Sequence, residues 1–293
     1  MAHKTAHIAG RAARPDTLPV TVIVMTRDEA PNIAACLASV APYCAQVIVV
    51  DSDSVDGTPM IAARHGVEVQ KFRWDGRYPK KKQWCLDTLE ITQPWTMLLD
   101  ADEQLTPAVR AEMASRLASL STHPVGFYVS AHVGYQGRVL RHGRRHCKLS
   151  LFRTGHAAFP AIDDLDVAGM GEVEGHYQPV VDGPVGRLKA PIIHFDAKGP
   201  EAWQARHRGY AQWAAEMRRR NALRHVETTE PFSRRLAKRA IARLPAKPVL
   251  AWADSYLWHQ GWRDGRAGFA YAVDRFRYYR AIDQEHRRAH RRG

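Results

Sequence analysis

Over the first 120 or so residues, unbroken apolar runs alternate with stretches of helical period. Val20 to Thr26 reads VTVIVMT, β-branched and continuous, as a strand buried on both faces does. A polar turn follows, then a helical stretch from Pro31 to Val40 whose proline suits a first helical position. The pattern repeats. Val47 to Val50 predicts a second strand ending at Asp51, and Thr58-Pro59 supplies an N-cap and a first residue for a second helix. Val67 to Phe72, Pro79 to Leu89, Trp95 to Leu99, and Thr106-Pro107 onward to about Leu120 predict a strand, a helix, a strand and a helix. Four such units predict an α/β fold, a mostly parallel sheet with helices on both faces.

From Gly126 to about His194 the period shortens. GFYVSAH, KLSLF and PIIHF alternate and are broken by Gly and Pro, which predicts antiparallel strands added to the sheet. Past Lys198-Gly199 the chain turns helical and basic, with Trp203, Tyr210, Trp213 and Met217 on one face. The first seventeen residues, rich in Ala, His and Arg without periodicity, predict a loose tail, and VETTEP at 226–231 reads as a linker. The expected division is a tail over 1–17, an α/β domain over 18–225 and a helical region over 226–293. No run reaches the ~18 apolar residues of a spanning helix or resembles a signal peptide, so an integral or exported chain is not expected.

Composition adds a partner class. A chain of 293 residues with 45% apolar content can bury one substantial core and carry an appendage. Its formal net charge of +13 points to a polyanion: nucleic acid, anionic lipid or a phosphorylated substrate. Arg218 to Arg220, Arg234-Arg235, Lys238-Arg239 and the closing RRAHRRG interleave with Trp252, Tyr256, Leu257, Trp258 and Trp262. That mixture suits adsorption to an anionic membrane surface, and the absence of a recognisable nucleic-acid-binding module sets nucleic acid aside. Cys36, Cys44, Cys85 and Cys147 show no CxxC spacing; three fall in helix or helix-edge stretches, which fits a reducing compartment.

Ligands of a parallel sheet bind beyond the carboxyl ends of its strands, and there the polar residues gather: Arg27 to Glu29, Asp51 to Asp56 and Asp100 to Glu103. Asp100-Ala101-Asp102 follows WTMLL. Such a DxD can place one carboxylate toward a ribose and the other on a divalent cation bridging two phosphates, or form a solvated turn before a helix. Thr26-Arg27-Asp28-Glu29 with Asn32 can meet a base or ribose, or serve as a cap. Asp51 can accept from the imide N–H of uracil, in a loop that Gly57 lets turn tightly. Lys80-Lys81-Lys82, with Arg77 nearby, can balance a diphosphate or form a solvated face. HExxH, GxSxG and GxxxxGK[ST] are all missing, which leaves metal-hydrolase, serine-hydrolase and P-loop chemistry unsupported.

In this order, each at a strand end, the four motifs resemble the family-two glycosyltransferases of the GT-A fold, over roughly Val20 to Gly199. The resemblance implies transfer with inversion from a nucleotide diphosphate-sugar, a UDP-sugar favoured, with Mg2+ or Mn2+ as cofactor. It places Asp51 on the nucleobase, Asp100 on the ribose and Asp102 on the metal, with Thr26, Arg27 and Glu29 in the nucleotide-binding turn. Lys82 falls near where the family often has an arginine before an asparagine, here Gln83. Trp74-Asp75-Gly76, Pro79-Lys80-Lys81 and Gln83-Trp84 resemble lipopolysaccharide core glucosyltransferases and related envelope-glycan enzymes. This implies a lipid-linked or lipopolysaccharide acceptor and a cytoplasmic, peripheral place at the inner face of the cytoplasmic membrane. Inversion requires a base, usually a carboxylate. The family places it in a segment matching Asp163 to Glu174, so Glu174 ranks first and Glu172 second, although the usual Val-His-Glu triplet is lacking. His194-Phe195-Asp196 resembles the family's late His motif, with His194 a metal or phosphate contact or a structural residue. Gly261 to Phe269 resembles a C-terminal segment of the same membrane-associated enzymes, or is a helix hairpin packed on the catalytic domain. Two rivals stand beside this reading. An inactive GT-A-like glycan- or membrane-binding module would be expected to lose the aspartates retained here, and a sugar nucleotidyltransferase would need a Gly-rich basic loop where TRDEAPN stands.

Overall fold

A computed structural model describes residues 17–118, 124–167, 170–174, 177–223 and 247–292. The first half alternates as predicted: β1 (Leu18–Thr26), α1 (Ala30–Val40), β2 (Cys44–Asp51), α2 (Thr58–Arg64), β3 (Glu68–Lys71), α3 (Lys81–Thr88), β4 (Trp95–Asp100), β5 (Glu103–Gln104) and α4 (Pro107–Leu117). Strands β3, β2, β1 and β4 pair in parallel in that order. Residues of β1 alternate between two cores. Val20, Val22 and Val24 face α1 and α4 with Ile33, Leu37, Val109 and Met113. Ile23 faces the other way, with Ile48, Val50, Leu98 and Cys85. Burial on both sides is why the strand reads as a continuous apolar run.

The second half holds β6 (Gly126–Tyr135), β7 (Arg138–Val139), β8 (His146–Arg153), β9 (Ala157–Ala158), β10 (Val180–Val181), β11 (Val185–Arg187) and β12 (Ile192–His194). Among the described residues, ten strands form one sheet in the order β3-β2-β1-β4-β8-β6-β12-β5, with β7 and β11 also paired to β6. β8 runs antiparallel to both β4 and β6, as predicted. β11 and β12 run parallel to β6, so this half is mixed and not antiparallel throughout. The physical reason is that the chain leaves β8 through a long excursion that includes the β9–β10 pair, and returns to the sheet in the direction of β6.

Two local expectations change. The N-cap of α2 is Gly57, in the left-handed region at φ 87°, and not Thr58. The Thr58 hydroxyl instead accepts the Glu29 amide at 2.8 Å and donates to Asp56 at 2.5 Å, tying two loops together. Cys44 opens a strand and lies at no helix edge; Cys36, Cys44 and Cys85 are free and buried. Thr106 caps α4 as predicted, its hydroxyl accepting the Val109 amide at 3.2 Å. The tail expected over 1–17 falls almost wholly, and the linker expected at 226–231 entirely, outside the described residues.

Among the described residues three helices follow: α5 (Gly199–Arg220), α6 (Lys247–Ala253) and, after a π-helical turn (Asp254–Trp258) and a 3-10 turn (Gly261–Asp264), α7 (Gly265–Arg292). Trp213 and Met217 of α5 are buried in the second core. α7 lies along α5, and its Ala267 and Tyr271 pack with Val133, Tyr135 and Leu140 at the β6–β7 edge. No helix among the described residues is long and apolar enough to cross a membrane.

One buried ion pair fastens the loop before α3 to α5. The fully buried Lys80 ammonium donates to Asp164 at 2.8 Å, and the same carboxylate accepts from the Tyr78 hydroxyl at 2.6 Å and the Trp213 indole at 2.9 Å. Each group has a partner, so the pair fixes geometry, while removing one member strands the other charge. Asp164→Ala is therefore expected to lower the unfolding free energy by about 3–5 kcal/mol in urea titration, and Lys80→Met with Asp164→Leu by less. A loss below about 1 kcal/mol for the single variant would contradict this role for the pair.

Candidate active site

Register brings the polar strand ends to one level. Thr26 lies opposite Asp51, Met25 opposite Asp100, and His194 opposite Glu103. The carboxylates therefore share the crevice where parallel sheets bind ligands.

On one side, the loops after β1 and β2 are stitched together. Asp51 is buried; its carboxylate accepts from the Thr26 hydroxyl at 2.8 Å, the Ser54 hydroxyl at 2.5 Å and the Ser54 amide at 2.9 Å. The Asp28 carboxylate accepts the Val55 amide and Asp56 accepts the Ala30 amide, both at 2.9 Å. Part of the acidic density that the sequence offered to a nucleotide thus holds loop to loop. Arg27 projects outward, its side chain 68% exposed, with Glu172 at 4.0 Å.

The basic run divides. Lys80 belongs to the buried pair described above, and Lys81 is buried as well, donating to the Thr26 carbonyl at 2.8 Å and the Ser52 hydroxyl at 2.6 Å, with Glu172 at 3.8 Å. Burial pulls the Lys81 ammonium below its ordinary pKa, against the pull of Glu172. The solvated face that the sequence offered as one alternative does not hold for Lys80 and Lys81, which covering loops enclose. Lys82 is half-buried, its ammonium 5.8 Å from the centre of the Phe159 ring.

The DxD pair is held from β8 and β12. Lys148 bridges Asp100 and Glu103, at 2.8 Å from the latter, while Glu103 also accepts the Asp100 amide at 3.0 Å. Desolvation disfavours the charges of Lys148 and Asp100, yet their mutual attraction wins: Lys148 lies well above, and Asp100 well below, its ordinary range. Asp102 meets His194 Nε2 at 3.1 Å through one carboxylate oxygen. Burial alone would push the imidazole down, but Asp102 outweighs it and raises His194 to about 9. The other oxygen, Asp102 Oδ1, is buried without a protein partner, as is His194 Nδ1. No group of three chain donors that could enclose a metal occurs among the described residues. A free carboxylate oxygen beside an imidazole does fit Mg2+ or Mn2+, which take one or two protein ligands and complete their shell with substrate phosphates and water.

A third node joins the first turn to the late strand. Glu29 accepts from Lys198 and, at 2.8 Å, from Asn32, whose amide also donates to Asp196 at 3.0 Å; Arg206 pairs with Asp196. Glu29 is thus engaged by protein partners before any ligand arrives.

Glu174 is buried at the start of α3, where its carboxylate accepts the Lys82 and Gln83 amides at 2.9 Å each, a position that exposed amides and the helix dipole favour. Burial raises its pKa against the pull of Lys82 and those amides. Glu172 lies two residues away, touching Arg27 and Lys81. Their contacts place both base candidates beside the β1 turn and α3, whereas Asp102 and His194 meet each other.

Residues 21–154 match the family model described as Glycosyl transferase family 2. The chain is 29% identical over 187 residues to the lipopolysaccharide core biosynthesis glycosyltransferase LpsC of Rhizobium meliloti (strain 1021), covering 61% of this chain and 63% of that protein. It is 34% identical over 100 residues to an uncharacterized glycosyltransferase of Rickettsia felis, covering 34% of each. The chain thus spans less than two thirds of the one and about a third of the other. Among solved structures, the mannosyltransferase PcManGT from Pyrobaculum calidifontis, in complex with GDP-Man and Mn2+, aligns at a TM-score of 0.45 and 19% identity over 97% of this chain and 90% of that one. At that score the likeness does not bear on the site.

The Asp102–His194 pair carries a pH signature in protein stripped of divalent ions. Because folding raises the His194 pKa from 6.5 to about 9, the stabilisation is complete below pH 6.5 and is lost as pH rises through 9. Asp102→Asn is expected to cost about 3 kcal/mol in chemical unfolding at pH 6 and under about 1 kcal/mol at pH 10. An equal cost at both pH values would show that the imidazolium is not what Asp102 stabilises.

Proposed function

We propose that the chain, whose residues 21–154 match the Glycosyl transferase family 2 model, moves a sugar with inversion from a nucleotide diphosphate-sugar, a UDP-sugar favoured, to a lipid-linked or lipopolysaccharide/envelope glycan acceptor. The observation that carries this reading is the convergence of Asp51, Asp100 and Asp102 at one sheet edge, with one buried oxygen of Asp102 left over.

In this reading Asp51, oriented by Thr26 and Ser54, accepts the imide N–H of the base through its remaining lone pairs. Asp100 takes the ribose, and Lys82, beside the N-terminus of α3, faces the diphosphate. Asp102, through its free Oδ1, would hold the divalent cation, whose charge stabilises the departing diphosphate when bound; His194 would join it as a ligand once it has given up its proton as the neutral imidazole. The acceptor proton passes to a carboxylate of the 170–174 segment. We assign it to Glu172 over Glu174, because both Glu174 oxygens already serve α3. The similarity to LpsC supports the acceptor class, and the basic, aromatic C-terminal region supports a peripheral place at the inner face of the cytoplasmic membrane.

The test is diphosphate release by the purified full chain from UDP-, GDP- and ADP-sugars, with and without Mn2+ or Mg2+. We expect cation-dependent release from a UDP-sugar, reduced by roughly a hundredfold or more in Asp102→Ala. Glu172→Gln should lower kcat, whereas Glu174→Gln should chiefly lower stability. Release from no donor, or an undiminished rate in Asp102→Ala, would contradict the proposal.

A further inference from the structure

The C-terminal turns present apolar side chains to solvent from a rigid base. Leu257, Trp258 and Trp262 are 53%, 68% and 55% exposed, and lie within six residues of one another on the π-helical and 3-10 turns. Beside them Trp252, Tyr256 and Phe269 cluster, with Tyr256 at 5.2 Å and 5.4 Å from the other two ring centres and Phe269 itself 48% exposed. Two glycines close the base. A Cβ on Gly261 would meet the Ser255 carbonyl at 2.7 Å, and one on Gly268 would collide with the Gly261 carbonyl. The neighbouring aromatics pack on one another, which leaves Trp258 and Trp262 exposed.

Charge at this tip is sorted by sign. Its two acids turn inward: Asp264 accepts the Arg141 and His142 amides at 3.2 and 2.7 Å, and Asp254 pairs with Arg144 at 3.7 Å and Arg275 at 3.9 Å. Arg263 and Arg266 are exposed and have no carboxylate partner among the described residues; nor have Arg138, Arg141 and Arg145 of the loop that Asp264 holds. Of the arginines expected from sequence to meet lipid, Arg218 to Arg220 are instead paired with Asp283, Glu216 and Asp166, and residues 234–239 lie outside the described chain.

We propose that this tip docks the enzyme on an anionic lipid bilayer. Leu257, Trp258 and Trp262 enter the boundary between headgroups and acyl chains, and Arg263, Arg266 and the arginines of the 138–145 loop meet lipid phosphates. A stacking groove for nucleic acid would place its aromatics along a channel, whereas these protrude beside a leucine. The location serves the reaction. Gly143 donates to the His259 carbonyl at 2.8 Å and the Arg144 amide to Ser255 at 3.2 Å, so the tip is seated where the chain enters β8. Four residues on, roughly 13 Å of strand, Lys148 meets Asp100. That a lipid-linked acceptor is thereby met at the headgroups rests on the transferase reading; the docking itself does not.

Co-sedimentation of the full chain with vesicles of phosphatidylcholine, with or without phosphatidylglycerol, tests the surface, with diphosphate release from a UDP-sugar and thermal unfolding measured alongside. We expect at least about tenfold preference for the anionic vesicles, weakening with salt. The combined variant L257S/W258S/W262S should lose about tenfold or more of that binding, and R263S/R266S roughly fivefold per arginine, with unchanged unfolding and donor turnover. Equal binding by the triple variant and the unaltered chain, or binding to duplex DNA and not to vesicles, would overturn the proposal. Vesicle binding by a chain that releases no diphosphate from UDP-, GDP- or ADP-sugars would uphold the docking surface and sink the transferase reading instead.

Discussion

Four carboxylates, Asp51, Asp100, Asp102 and Glu103, end at one edge of the sheet, and Glu29 lies in the turn after β1, the strand between those of Asp51 and Asp100. Charges of one sign brought together and partly buried repel and lose hydration, so such an edge exists only if cations reach it. The later chain supplies three: β8 brings Lys148 to Asp100 and Glu103, β12 brings His194 to Asp102, and the chain entering α5 brings Lys198 to Glu29. The second half of the protein is, in electrostatic terms, the counter-charge of the first.

That division explains how the residues stay placed for chemistry. The aspartates are oriented by the parallel ladder, which sets Thr26 beside Asp51 and Asp100 beside Met25, and a one-residue slip would turn each side chain to the opposite face. The cations arrive from strands and loops packed on both cores, so their positions are fixed independently of any ligand. In the proposed transferase reading, preorganised charge of this kind would stabilise a departing diphosphate without reorganisation at the moment of transfer.

How much of this was legible in the sequence follows from distance along the chain. The βα alternation, the DxD turn and Asp51 were readable because a strand and the residues ending it are adjacent. Lys148 was not, since its partner Asp100 is 48 residues away and the KLSLF pattern reports only which face each side chain takes. The same pattern carries no direction, which is why β11 and β12 were expected antiparallel. Lys80 and Lys81 read as a solvated basic run because their burial comes from Asp164 and Glu172, more than eighty residues on. Glu174 stood out as an acid in the right segment; that it would serve α3 depends on a turn that no local motif announces.

The most direct measurement is the anomalous signal of Mn2+ in crystals grown with UDP. The account predicts a single peak about 2.1 Å from Asp102 Oδ1, shared with the diphosphate, and the uracil ring against Asp51. A metal bound away from Asp102, or a nucleotide bound outside the crevice between β1, β2 and β4, would contradict it.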